Sequence, residues 1–227
     1  MSDADTVAVV SGTGQLGFGL ALRWAATQAR VLIASRDVDR ARNAAGRIRD
    51  KVGRHADVEA MSYEEATTES NFVVLAIPFD AHVTTLKRIR EFLAPGAIVL
   101  DTTVPLATAV GGRPTRTLML WQGSAAQQAR ELLKDRARIV AGMHTIAAET
   151  LNQWPESVNS DVFLVGDDRE AKRFVGGWIE RIDNLRAVDS GSLELARVTE
   201  QLTSLLISIN KVHGVSATGL RVTGLVD

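Results

Sequence analysis

Between Thr6 and Arg40 an apolar run, a glycine-spaced turn, a helical stretch and a second apolar run follow one another, and few folds accept that order. Val7, Ala8, Val9 and Val10 form a short, nearly uninterrupted apolar run, as expected for a parallel strand buried on both faces. Gly12, Gly14 and Gly17 then fall on the GxGxxG spacing. The first allows a tight turn, the second lets backbone approach a pyrophosphate, and the third lets the helix pack against the strand. Amide N–H groups at the helix start face the anion. Leu16, Leu20 and Trp24 give that helix an inward face, and Val31, Leu32 and Ile33 make the next strand.

An NAD site carries Asp or Glu at the end of this second strand, where it bonds the ribose hydroxyls and repels a 2′-phosphate. Here the position reads Ser35-Arg36, with Arg40 one helical turn further on. A hydroxyl and planar guanidinium forks suit a phosphate, so NADP(H) is expected rather than NAD. Most of the basic run that follows, Arg42, Arg47, Arg49, Lys51 and Arg54, reads as a solvated helix face.

Further along, strand and helix patterns keep alternating. Strands are expected at Val58 to Met61, Phe72 to Ile77, Ala97 to Leu100 and Ile139 to Met143. Helices are expected after Ser62, from a cap at Asp80 to about Leu93, and from Ser124 to Leu133, with a loop between Gly111 and Gly123 in which Leu118 to Trp121 offers room for a short strand. This is a Rossmann-type, doubly wound parallel α/β sheet, followed by a small C-terminal α/β extension. Residues 1–145 are expected to form the dinucleotide-binding domain and 146–227 a smaller region completing the cleft. The extension holds a strand at Asp161 to Val165, a helix from about Glu170 to Ile182 and a strand at Leu185 to Val188. A long helix after Ser192 carries a stripe of Leu195, Val198, Leu202, Leu205, Ile209 and Val212 before Gly214. That stripe reads as core or as the seam of a homodimer.

Ligands of such sheets lie beyond the carboxyl ends of the strands. Those ends hold Ser35 and Arg36, Ile77 to Phe79, Thr102 to Pro105, and His144 to Ile146. A chain of 227 residues, 45% hydrophobic, can bury a full core, and its net charge of −1 argues against a broad nucleic-acid or membrane footprint. With no cysteine, thiolate chemistry and disulfides are excluded, and the histidines lack metal-ligand spacing, so no metal is expected. An acidic, polar stub leads directly into the first strand and no apolar run reaches membrane-spanning length, so the cytoplasm is the expected compartment. No GxSxG, Walker lysine or SxxK motif occurs, and Tyr63, the one tyrosine, lacks the lysine four residues on that short-chain dehydrogenases carry. Hydride transfer fits such sparse chemistry, because the protein need mainly align two rings and exclude water.

Taken together, the motifs resemble the NADPH-dependent reductases of the deazaflavin coenzyme F420. The resemblance runs from about Thr6 to Asn210 and rests on residues 12–17 (GTGQLG), Ser35-Arg36, residues 75–78 (LAIP), Val104-Pro105, residues 144–146 (HTI), residues 166–168 (GDD) and residues 189–192 (DSGS). It implies NADP contacts from Gly12, Thr13, Gly14, Gln15, Leu16 and Gly17 at the turn, and from Ser35, Arg36 and Arg40 at the 2′-phosphate. Ile77, Pro78, Val104 and Ala148 would line the nicotinamide side, with His144, Thr145 and Ile146 beside the reacting rings. The implied reaction passes a hydride between C4 of the nicotinamide and C5 of the deazaflavin.

Two departures fall at the ring pocket. Ala147 replaces a proline common in the family, and Phe79 stands where tryptophan commonly follows Ile-Pro. They leave open a flavin or a small carbonyl or imine as acceptor, and also a non-catalytic NADP(H) sensor.

Overall fold

A computed structural model describes residues 5–225; the acidic stub before Asp5 lies outside the described residues. The alternation read from the sequence is realised as β1 (Thr6–Val10), α1 (Gln15–Ala25), β2 (Arg30–Ala34), α2 (Val38–Val52), β3 (Val58–Met61), α3 (Tyr63–Glu69), β4 (Phe72–Leu75) and α4 (His82–Ile89). It continues as β5 (Ala97–Asp101), α5 (Ala125–Leu133), β6 (Ala137–Ala141), α6 (Ala148–Asn152), β7 (Ser160–Leu164), α7 (Arg169–Glu180), β8 (Leu185–Asp189) and α8 (Ala196–His213). Strands β1 to β6 form one parallel sheet in the order β3-β2-β1-β4-β5-β6, so the chain reverses direction across the sheet between β1 and β4. That reversal is the topological switch point, beside which this class of sheet opens a crevice.

Several local expectations change. Strand β4 stops at Leu75, two residues before Ile77, because the chain leaves the ladder to turn into Pro78. Asp80 does not cap a helix: a 3-10 turn at Phe79–Ala81 precedes α4, and Ala81 starts α4 without a side-chain cap bond. Ser62, by contrast, makes a full capping box with Glu65. Within the loop expected from Gly111 to Gly123, Thr117 makes one antiparallel bridge to Leu106 and no strand forms. Helix α6 is not among the expected elements, and no side chain caps its start.

The extension is a separate parallel pair, β7 and β8, joined to the main sheet by an antiparallel bridge between Val165 and Ala141. Aromatic packing connects the two. Trp24 of α1 meets Trp178 of α7 edge to face at 5.6 Å, and its indole N–H donates to the Trp178 carbonyl at 2.9 Å. Phe72 packs against both Phe174 and Trp178. Arg23, almost fully buried, donates from Nε to the Leu151 carbonyl and from Nη2 to the Thr150 carbonyl, closing the end of α6. Gly19 lets α1 and α6 touch, since a Cβ there would lie 2.6 Å from that of Leu151. The C-terminal segment returns along β7, where the Asp161 amide donates to the Leu220 carbonyl and the Val222 amide to the Asp161 carboxylate.

Helix α8 overturns the core reading of its stripe. Leu195, Val198, Leu205 and Val212 are exposed, from 40% to 76%. The face that packs is instead small and polar: Ala196, Thr199 and Glu200 with Leu206.

Candidate active site

Parallel register aligns the strand ends. Met61, Ala34, Val10, Leu75, Asp101 and Ala141 are successive cross-strand partners, so whatever follows each of them emerges on one rim. Each exit is pinned to its neighbour: the amides of Gly12, Ala76, Thr102 and Gly142 donate to the carbonyls of Ala34, Val10, Leu75 and Asp101. The segments holding the glycine turn, Ser35-Arg36, Ile77, Val104 and His144 thus all leave the strands at the same end of the sheet.

At the first exit, Ser11 adopts φ 63°, a conformation that favours glycine, and the turn closes through a bond from the Gly14 amide to the Ser11 carbonyl. Gly12 and Gly17 are required there. A Cβ on Gly12 would sit 2.9 Å from the Val9 carbonyl oxygen, and one on Gly17 2.7 Å from that of Ser11. Gly14 caps α1 without any side chain, and the next amides lie in the first helical turn, where no intrahelical acceptor exists. Gln15 is exposed, Thr13 and Leu16 are half-buried, and the Gln15 carbonyl accepts from Asn152 of α6. At the next exit Ser35 is buried with Oγ accepting from the Asp37 amide, while Asp37 caps α2. Arg36 and Arg40 are exposed, and among the described residues neither guanidinium makes an ion pair or hydrogen bond. The basic face of α2 is engaged elsewhere, with Arg47 lying 4.4 Å over the Phe18 ring and Arg42 paired to Asp39.

The other half of the rim is more enclosed. Ile77 is enclosed, Pro78 exposed, Val104 and Ala148 half-buried. Met143, buried at φ 69°, turns the chain, and the Ile146 amide closes that turn on the Met143 carbonyl. The His144 carbonyl accepts from Thr203 Oγ1 of α8 at 2.6 Å, and Thr145 Oγ1 donates to the Asp161 carbonyl at 3.1 Å. His144, Thr145 and Ile146 line a cavity of about 80 Å³ together with Thr203, Leu206 and Asn210 of α8. Both ring nitrogens of His144 and the hydroxyl of Thr103 are buried without a hydrogen-bond partner among the described residues. Native proteins rarely leave such groups unpaired unless a ligand or water completes them. Burial pushes the His144 ring down to about 4, partly offset by the nearby Asp101 carboxylate and main chain, which do not meet hydrogen-bond geometry with it. The ring is therefore neutral near pH 7, with one donor and one acceptor to offer.

Beneath this rim lies a network that sequence reading missed. His82 Nε2 meets Asp101 Oδ2 at 2.8 Å, a pair sealed from solvent at 0% and 1% exposure, and its Nδ1 meets Oε1 of the half-buried Gln128 at 3.0 Å. Burial alone would lower His82, but the Asp101 carboxylate and the two hydrogen bonds outweigh it and hold the ring above its ordinary range. Burial would likewise raise Asp101, yet the His82 charge and the bond from the Thr103 amide keep it below the usual carboxylate range. Through that amide Asp101 positions the segment carrying Val104. Glu200 reaches in from α8, its two oxygens accepting from the Ala125 and Ala126 amides at the start of α5. Among the described residues no cluster of three His, Cys, Asp or Glu is placed to hold a metal.

Residues 6–105 match the family of coenzyme F420-dependent NADP oxidoreductases. Over 97% of its length the chain is 37% identical to the F420-dependent NADP reductase of Methanothermobacter thermautotrophicus, and the match covers 96% of that protein. The chain belongs to the F420-dependent NADP reductase family. The reductase of Methanocaldococcus jannaschii is 36% identical over 96% of this chain and 98% of its own. A candidate F420-dependent NADP reductase from Arthrobacter sp. FB24, 22% identical, shares the fold at a TM-score of 0.80 over 96% of this chain and 99% of that one.

For a reductase of this family the two departures are mild in backbone terms. Ala147 sits at φ −71° before α6, inside the range a proline ring imposes, so the conformation survives the substitution. Phe79 is half-buried and stacks on His82 at 6.1 Å, which ties the departing ring to the buried network. A signal for that network did exist: Asp101 is an acid ending an otherwise apolar strand, and His82 lies three residues after Phe79. Their pairing, and the role of Glu200 and Thr203, had no spacing to announce it.

Proposed function

We propose that the chain catalyses hydride transfer between NADP(H) and the deazaflavin coenzyme F420. The observation that carries this reading is the end-to-end match, at 36% to 37% identity, with F420-dependent NADP reductases. The geometry agrees with it. Gly12, Thr13, Gly14, Gln15, Leu16 and Gly17 form a cradle in which added Cβ atoms at Gly12 and Gly17 would collide with backbone, and such a cradle suits a pyrophosphate. Ser35 and the guanidinium groups of Arg36 and Arg40, which have no partner among the described residues, take the 2′-phosphate. Ile77, Pro78, Val104 and Ala148 bound the nicotinamide side, and His144, Thr145 and Ile146 face the second ring. When both substrates are bound, a hydride passes between nicotinamide C4 and deazaflavin C5, and a solvent-derived proton completes reduction of the deazaflavin. The neutral His144 ring offers a hydrogen bond to a polar edge of one of the rings and holds no charge against the moving hydride.

In this reading residues 1–145 bind the nucleotide and residues 146–227 close the cleft over the second substrate. The exposed α8 stripe serves as the seam of a homodimer. No helix of the described residues is long and apolar enough to cross a membrane. The cytoplasm is proposed as the compartment because this reading draws on an NADP pool. The test is a spectrophotometric assay with NADPH and oxidised F420. Loss of the oxidised deazaflavin absorbance is expected; turnover with a flavin, carbonyl or imine but none with F420 overturns the substrate assignment, and NADPH binding without turnover under any acceptor marks a sensor.

A further inference from the structure

Between Asp101 and Glu131 the chain carries no acidic residue, yet it holds Arg113, Arg116 and Arg130. Arg130 is engaged with Asp167 at 2.7 Å. The other two are exposed, and among the described residues neither guanidinium has an ion pair or a hydrogen bond. Together with Gly112 and Thr115 they line a cavity of about 560 Å³.

Their loop is built, not loose. The Gly112 amide donates to the Ala107 carbonyl at 2.7 Å, the Ala107 amide to the Arg116 carbonyl at 2.8 Å, and the Arg116 amide to the Arg113 carbonyl at 3.1 Å. Gly111 takes φ 77°, and a Cβ on Gly112 would lie 2.7 Å from that of Ala107. The backbone that carries both arginines is thus held by hydrogen bonds, so little main-chain ordering stands against binding an anion.

The loop's place in the fold selects which anion. It follows β5 through a 3-10 turn at Ala107–Val110, and the three Cα–Cα steps from Val104 to Ala107 span at most about 11 Å of extended chain. Strand β5 is three positions from β2, whose end holds Ser35 and Arg36. At about 4.8 Å per strand that is roughly 14 Å along the rim, on the opposite side of the switch point from the 2′-phosphate position. An anion held here would lie on the far side of the switch point from the adenosine end of the nucleotide.

We propose that Arg113 and Arg116, with the Thr115 hydroxyl, bind an anionic side chain, phosphate or carboxylate, attached to the ring substrate. This rests on the deazaflavin reading above, since coenzyme F420 carries both groups on the chain leading from its ring. Two partly exposed charge-assisted contacts are each modest, and losing both is expected to weaken binding about tenfold.

The test compares the wild-type protein with the double variant Arg113→Gln, Arg116→Gln on two acceptors: F420, and 8-hydroxy-5-deazariboflavin, which has the same ring on a neutral side chain. Expected is an about tenfold higher KM for F420 with kcat retained, and unchanged KM for the neutral deazaflavin and for NADPH. An equal rise for both deazaflavins, no rise for either, or a rise for NADPH overturns the proposal. A wild-type protein that reduces neither deazaflavin defeats the deazaflavin reading itself, an outcome separable from the others because no variant is involved.

Discussion

Replacing Glu200 by Gln is expected to destabilise the protein in mild acid and stabilise it in mild base. Glu200 is 1% exposed, and burial carries its carboxyl from an ordinary 4.5 to about 8 against the opposing pull of the Ala125 and Ala126 amides. Between those values the native carboxyl holds a proton that the unfolded chain has released. Stability is therefore fully present below the unfolded value and falls as pH rises towards the folded one, by about 1.4 kcal/mol per pH unit. Gln keeps the volume and never ionises, so this slope disappears. Its NH2 group must face one of the two amides, however, and leaving that donor unpaired costs about 1 to 3 kcal/mol at every pH. The two effects cross: the variant is the weaker protein near pH 5, and the difference shifts in its favour by about 3 kcal/mol by pH 7. Urea denaturation of both proteins at matched ionic strength and protein concentration reads this directly, because titrating groups remote from Glu200 are common to both and cancel in the difference, whereas His82 and Asp101 interact with Glu200 and respond with it. A difference that stays constant across the range would mean that the carboxylate is ionised in the fold, held by the α5 terminus, and would refute the argument.

Other substitutions test the remaining parts. Arg36→Ala should weaken NADPH by about 1.5 to 3 kcal/mol and leave NADH nearly unchanged, as measured by titration; equal losses would remove Arg36 from the phosphate site. Gly17→Ala places a Cβ 2.7 Å from a backbone oxygen and 2.9 Å from the Gly12 Cα, so a loss of about 1 to 3 kcal/mol in stability is expected together with loss of NADPH affinity. His82→Ala strands the buried Asp101 carboxylate and should cost about 3 to 5 kcal/mol in denaturation experiments. Its partner effect has a sign in pH: the raised His82 contributes fully below its unfolded value and is lost as pH rises through the folded one, so the penalty shrinks in base.

The legibility of this chain divided by range. The apolar runs of β1 and β2, the glycine turn between them, and Ser35-Arg36 at the exit of β2 could be read because strand burial, turn sterics and phosphate recognition each act within a few residues. Where local cues misled, a longer-range contact won. The stripe from Leu195 to Val212 looks like a core face by periodicity, yet α8 packs through Ala196, Thr199 and Glu200, because Glu200 finds the unsatisfied amides of α5 seventy-odd residues away in sequence. Helix α6 is only five residues long and depends on Arg23 and Gly19 of α1 rather than on its own propensity.

By itself, then, the sequence determined a parallel nucleotide-binding sheet and the chemistry of its rim, since periodicity, glycine and an arginine pair are local properties. The tertiary structure alone decided what stands under and over that rim. The His82–Asp101 pair, the Glu200 contact with α5 and the hold of Thr203 on His144 join residues 19, 75 and 59 positions apart. Such pairings arise because burial makes an unpartnered charge or amide costly, and only the folded chain shows which groups are near enough to satisfy one another.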